Sequence, residues 1–430
     1  MTASLSYTRD GQTVSLPAIE SSDGSLYASV ERLTEETGLS TFDPALNNTA
    51  ITKSAVSYID AKNSRLFYRG YNIEELVEKS TFVETAYLLI YGNLPSADEL
   101  ALFSKGLSKH SMIHESMRNF FDSFPGRSAH PLAILATMVT ALSGHYPDSF
   151  ESHISDGVDV RIRLLAKVRT LAAWSYKKSV GQPIVYPRDE MPYCTNFLNM
   201  MFAIPAEPHI VTPDDDRILN QMFILYADHE MNATTTTVRV VASARANLFA
   251  CINAGICSLW GSRESDATMP PSVMLLRMID HNLTPDQYFG KFIEGKEQLK
   301  LNGFGHTAYE GEDPRARISR ALFHEYLKAY PEFRNDPLIQ KGLDVEDFAM
   351  NHTMFKQLRM YPNIEFYSSL IFKMLGIPPE MNNVIRTIGK LAGWLGHWSE
   401  ARQDVGRRVY RPRQVYIGKL NQSYRPIENR

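Results

Sequence analysis

Two histidines and two arginines lie in local contexts that a helical scaffold alone does not require. Asp228-His229-Glu230-Met231-Asn232 closes an apolar run, and Gly303-Phe304-Gly305-His306 carries an imidazole on a glycine-rich turn, where the backbone can come close to a ligand. Asp313-Pro314-Arg315 follows at once, and Arg411-Pro412-Arg413-Gln414 lies near the C-terminus. Guanidinium forks bind carboxylates through paired hydrogen bonds, so this set suits a small polycarboxylate. Taken singly each residue says little, because a lone histidine is usually structural and a lone arginine usually a solvated ion pair.

Other chemistry is less well supported. His110 and His114, with Glu115 beside them, have the i,i+4 spacing of a helical metal pair, but a third ligand and the H-E-x-x-H order are both missing, so no metal is expected. Gly303-x-Gly305 lacks the third glycine and the preceding strand of a dinucleotide loop. Cys194, Cys251 and Cys257 sit in apolar context without a C-x-x-C pair, which reads as buried thiols in a reducing compartment.

The elements that must position these residues are mostly helical. Leu5 to Leu16 alternate around Asp10-Gly11, which predicts a hairpin. A second short pair is expected at Ala55–Asp60 and Arg65–Tyr68, with Lys62-Asn63 in the turn. Beyond Tyr71 apolar residues recur at helical spacing, notably over Arg161–Tyr176, Ile218–His229, Arg317–Tyr330 and Met381–Trp398. The fold class is therefore mainly α with a short β-rich N-terminus. At 430 residues the chain is long enough for two domains. Its net charge of −3 argues against a nucleic-acid or anionic-membrane partner. The N-terminus carries no basic segment followed by an apolar run, and Phe249–Trp260 is too short to span a bilayer, so a cytoplasmic soluble protein is expected.

In order along the chain, the segments resemble citrate synthase, in the longer form of Gram-negative bacteria. The resemblance runs from Phe42-Asp43-Pro44 to Gln414 and takes in Ala227–Ala233, Ser258-Leu259-Trp260-Gly261, Gly303–His306, Asp313–Ala316, Tyr361-Pro362-Asn363 and Gly393–Trp398. It implies the citrate synthase fold, with a β-rich segment 1–50, a large helical domain of 51–265 and 377–430, and a smaller one of 266–376. It also implies condensation of a thioester enolate with a 2-oxo dicarboxylic acid. His306 takes the place of the ketone-polarising histidine. His229, Arg315 and Arg411 take those of the oxoacid clamp, Arg411 in a partner's site. A homodimer or a hexamer is implied. So is a nucleotide-regulatory face at Lys109, His110, Ser111, Tyr146, Arg163 and Lys167, for which a plain solvated or inter-subunit face is an equal reading.

The acyl half departs from the family pattern. Glu264 stands where the enol-stabilising histidine is expected, and Ser265 and Asp266 replace two glycines. An ionised carboxylate cannot donate to a thioester oxygen; only a protonated Glu264 could. Glu365 replaces the catalytic aspartate, one methylene longer, and Lys390 replaces a clamp arginine. Thr307-Ala308-Tyr309-Glu310-Gly311-Glu312 is acidic where basic residues commonly hold CoA phosphates. The expectation is an acyltransferase with an altered substrate and weak or no ordinary citrate synthase activity. No bound cofactor is expected, and acyl-CoA is a co-substrate in doubt. Open alternatives are a CoA-independent lyase or aldol-type enzyme on a polycarboxylate, and a non-catalytic homologue that binds carboxylates.

Overall fold

A computed structural model of the chain describes residues 4–9, 12–146, 159–261, 270–293, 301–404, 406 and 408–430. It divides into two compact units, Met1–Ser54 with Arg411–Arg430, and Ala55–Tyr410.

In the first unit β1 (Ser4–Arg9) runs antiparallel to β2 (Gln12–Glu20), in a register from Ser4↔Pro17 to Arg9↔Gln12. This is the hairpin that the alternation predicts; Asp10-Gly11 lie outside the described residues. β3 (Leu26–Ala28) pairs with the far end of β2.

The second unit opens with β4 (Ser57–Asp60), β5 (Arg65–Tyr68) and β6 (Tyr71–Asn72), a small antiparallel sheet in that order. From Ile73 onward the described elements are helices around one apolar core that includes Trp174, Phe223, Trp394 and Trp398. Several helices begin earlier than their apolar periodicity. Those at Pro213–Tyr226 and Pro314–Ala329 start on a proline in the first turn, capped by Thr212 and Asp313. Proline is tolerated there because its missing N–H would have had no helical partner. The first of these stops at Tyr226 rather than continuing to His229, and the next residues turn away to meet the small sheet.

The 22-residue helix Asn382–Gln403 is buried along most of its length. Three glycines on it permit close approach. A Cβ on Gly393 would lie 2.3 Å from the Ala227 carbonyl and from the Asp228 carboxylate. Gly389 faces Tyr226 and Phe223 in the same way, and Gly396 faces the Leu89 carbonyl. The Gly393 N–H also donates to the Ala227 carbonyl at 3.1 Å. The same helix carries Lys390, whose charge acts on His229, and Arg386, whose guanidinium lies 5.6 Å from the centre of the Tyr226 ring.

One further expectation needs correction. Cys194 and Cys251 are buried, but Cys257 is exposed on its helix Leu248–Leu259. His110 and His114 do not share a helix face, because helix Ala97–Lys109 ends and His114 caps the short turn Glu115–Met117 instead.

Candidate functional site

His229 sits on a corner held by hydrogen bonds from three directions. The Asp228 carboxylate accepts from the Ser57 hydroxyl and lies 3.3 Å from His397 Nε2. The Tyr68 hydroxyl reaches the Asp228 carbonyl at 2.9 Å. Glu230, with φ of +51°, donates its N–H to Ser57 and accepts from the Ile59 N–H at 2.5 Å. Burial alone would raise the Asp228 pKa, but His397, Ser57 and Lys390 together hold it below the usual carboxylate range.

His306 stands on the predicted turn. Gly303 and Gly305 have φ of +87° and +70°, values that side chains with a Cβ seldom adopt. The turn is laced to residues 361–363. Gly305 donates to the Tyr361 carbonyl, the Asn363 N–H to the Gly303 carbonyl, and the Asn363 amide to the Gly305 carbonyl at 3.1 Å. The same Asn363 side chain caps helix Ile364–Met374 through the Glu365 N–H at 2.9 Å. One residue thus ties the turn bearing His306 to the helix bearing Glu365.

The two imidazoles meet, with ring centres 4.9 Å apart, and the Tyr309 ring lies 5.6 and 5.3 Å from them. The Tyr309 hydroxyl is 2.8 Å from His229 Nε2. Arg315, in the first turn of its helix, takes both oxygens of Asp313 through Nε and Nη2, the latter at 2.7 Å. That places its Nη2 3.2 Å from His306 Nε2. Lys390 is buried, and its charge acts on both histidines.

These surroundings keep both rings neutral. Burial, then Arg315 and His306, push His229 well below its ordinary pKa. Burial and Arg315 lower His306 to about 4. Burial raises Tyr309, so its hydroxyl stays protonated and donates to His229 Nε2. His306 Nδ1 accepts the Ala308 N–H at 3.1 Å, which leaves the ring proton on Nε2, facing an arginine N–H. Two donors 3.2 Å apart lack an acceptor; a keto or carboxylate oxygen beside the pair, within reach of both nitrogens, satisfies them.

A pH dependence follows. The unfolded chain protonates these histidines near pH 6.5, whereas in the folded one His306 is protonated only near pH 4 and His229 is held well below its ordinary value. Stability conferred by neutral rings is full above about pH 6.5 and is lost as pH falls toward 4, by on the order of 3 kcal/mol for His306 alone. Thermal unfolding should therefore occur at lower temperature at pH 5 than at pH 7, with a smaller difference in His306→Gln. An equal drop in both proteins would contradict the assignment.

The remaining expected residues divide. Glu365 is on the second residue of its helix, and its carboxylate is 2.5 Å from Arg386 Nη2. Glu264, Ser265 and Asp266 lie outside the described residues. Arg411 belongs to the first unit and is exposed. Of the acidic run, Glu312 is balanced by Arg320 at 2.8 Å, while Glu310 is exposed. Elsewhere, Arg163 and Lys167 approach the Tyr146 ring at 4.6 and 5.7 Å. Lys167 also donates to the Met112 carbonyl, and burial followed by Arg163 lowers its pKa to about 8. Ser111 is buried and accepts from Arg169, His110 caps its helix, and Lys109 is exposed. Among the described residues no group of histidines, cysteines and carboxylates could hold a metal, and no helix is long and apolar enough to cross a membrane.

Sequence reasoning left Tyr309 and Arg386 unassigned. Tyr309 follows His306 by three residues, and Arg386 precedes Lys390 by one helical turn on the same helix. That spacing was the available signal for each.

A family model described as citrate synthase, C-terminal domain, matches residues 45–413. Citrate synthase 1 of Mycobacterium tuberculosis is 40% identical over 430 residues, which is 100% of this chain and 99% of that protein. The crystal structure of citrate synthase from Pyrobaculum aerophilum superposes with a TM-score of 0.78 at 28% identity, over 96% of this chain and 97% of that one. A ternary complex of the Thermoplasma acidophilum citrate synthase with carboxymethyl coenzyme A and oxaloacetate gives 0.79 at 25% identity, over 90% and 99%.

Proposed function

The chain belongs to the citrate synthase family, and on that premise we propose that it binds a 2-oxo dicarboxylic acid or related polycarboxylate through His229, His306, Arg315 and Lys390. It condenses that acid with an acyl thioester, the acyl or the oxoacid partner differing from those of ordinary citrate synthesis. The observation that carries this reading is the pair of opposed donors, His306 Nε2–H and Arg315 Nη2, beside a second neutral imidazole oriented by Tyr309. In this role His306 donates to the keto oxygen as charge develops there, Arg315 and Lys390 take carboxylates, and Glu365 is the base. The Glu365–Arg386 ion pair and the exposed Glu310 give specific support to a second reading, in which the same pocket acts on a polycarboxylate without CoA.

Calorimetric titration with oxaloacetate and citrate should show binding at millimolar concentration or tighter. Absence of heat with either acid would defeat the oxoacid assignment.

The same reading includes a cytoplasmic homodimer or hexamer with Arg411 completing a partner's site, and residues 266–376 as a smaller domain against the larger part. For Lys109, His110, Ser111, Tyr146, Arg163 and Lys167 it keeps two equal readings, a nucleotide-regulatory face and a plain solvated or inter-subunit face. Family dimers bury a large face across the two-fold, so light scattering of a dilute sample should give at least a dimer. A stable folded monomer would refute this.

A further inference from the structure

Beside Glu365 lies a cavity of about 200 Å³, lined by Glu365, Arg386, Asn383, Ser369, His130 and Glu380 among others. That is room for about six water-sized groups. Arg386 is 8% exposed, and its guanidinium is only partly used. Nη2 meets Glu365 at 2.5 Å and Nη1 meets Asn383 at 3.3 Å, whereas Nε has no hydrogen-bond partner among the described residues.

Two other arginines in the same chain show what a completed fork looks like. Arg161 engages Asp159 through Nε at 2.9 Å and Nη2 at 2.6 Å. Arg315 does the same with Asp313, at 3.1 and 2.7 Å. A buried guanidinium donor without an acceptor is costly, and the fork is shaped for two carboxylate oxygens at once. Glu365, on another helix, supplies only one.

We propose that this cavity is a second anion site, in which Arg386 exchanges Glu365 for the carboxylate of a small ligand and so frees Glu365. His130 adds a donor: its Nδ1 accepts the Leu132 N–H at 3.1 Å, so its proton is on Nε2. The exposed Glu380 on the lining opposes further negative charge, which selects a ligand tipped with a single carboxylate. The inference rests on the preceding reading only in making that ligand the second substrate, an acid-tipped acyl group or a free short acid. The binding itself stands on the geometry of Arg386.

The test uses the full-length protein, saturated with oxaloacetate to fill the first site, and titrated with butyrate and with neutral butyramide. Butyrate should bind and butyramide should not. Arg386→Gln should weaken butyrate about tenfold or more, as expected for a lost hydrogen bond to a charged group, and Arg386→Lys should fall between. Glu365→Gln removes the internal competitor and should tighten butyrate several-fold, a sign that a merely structural ion pair does not give. Should Arg386→Gln fail to fold, the Glu365→Gln result decides alone. Equal binding of the two probes, or no tightening in Glu365→Gln, overturns the proposal. If oxaloacetate itself does not bind, the oxoacid reading fails, and the butyrate comparison still judges this site by itself.

Discussion

With acetyl-CoA and oxaloacetate the protein should release thiol at least about 100-fold more slowly than the ~10 per second typical of enzymes. Enolising a thioester needs a donor at its oxygen and a base at its α-carbon. The resemblance places the donor at position 264, where the sequence has glutamate. Loss of one such donor costs about 100- to 1,000-fold in rate. The same resemblance places the base at position 365, which is altered twice over. Glu365 carries its carboxylate one methylene farther out, and that carboxylate is engaged by Arg386 at 2.5 Å. A base must leave its ion pair before it can take a proton from carbon, and a misplacement of about 1 Å can itself cost on the order of 100-fold. These losses act on one step and do not sum. A thiol-release assay decides the matter, and turnover near 10 per second would show that Glu264 and Glu365 serve as well as the residues they replace. Glu264→His, Ser265→Gly, Asp266→Gly and Glu365→Asp combined should raise a low rate. If they do not, the deficit lies in CoA binding or in Arg386.

What the sequence discloses is what it encodes locally. Asp10-Gly11 between alternating residues, and Lys62-Asn63 between two short apolar runs, led to strands that pair as expected. Gly303 and Gly305 marked a turn that needs positive φ on both residues. Asn363 lies inside a motif read for its neighbour Glu365, yet its own work, joining the His306 turn to the Glu365 helix, depends on a fold not yet formed. Arg386 and Glu365 are far apart in sequence and on different helices, so no periodicity links them. Their meeting depends on how closely the Asn382–Gln403 helix can approach its neighbours, and Gly389, Gly393 and Gly396 set that distance. Burial was similarly hidden at Cys257, because an apolar run does not say which face of its helix turns outward. The acidic run after His306 looked like two open charges until Arg320, one helix further on, balanced one of them.

Replacing Arg315 by leucine should abolish oxoacid binding and also destabilise the protein by roughly 3–5 kcal/mol, the usual cost of leaving one member of a buried ion pair alone. The two effects have different origins and can be separated. Asp313 is 4% exposed, and its carboxylate is matched by the Arg315 fork and by the Arg315 N–H at 2.9 Å. Leucine keeps the N–H and removes the fork, so an anion remains buried without its cation. Adding Asp313→Asn removes that charge, and the double variant should regain more than half of the lost stability in denaturant unfolding, since deleting both partners of a buried pair is far less costly than deleting one. Binding should not return, because neither leucine nor asparagine offers a carboxylate the cationic N–H groups that the Arg315 guanidinium has left over from Asp313. In the same variants His306 loses the second-largest influence that lowers its pKa. Its titration, followed by NMR, should move upward from about 4 toward the ordinary value while burial still holds it below. Oxaloacetate affinity that recovers together with stability in the double variant would mean that Arg315 only props up the turn, and that the acid is held elsewhere.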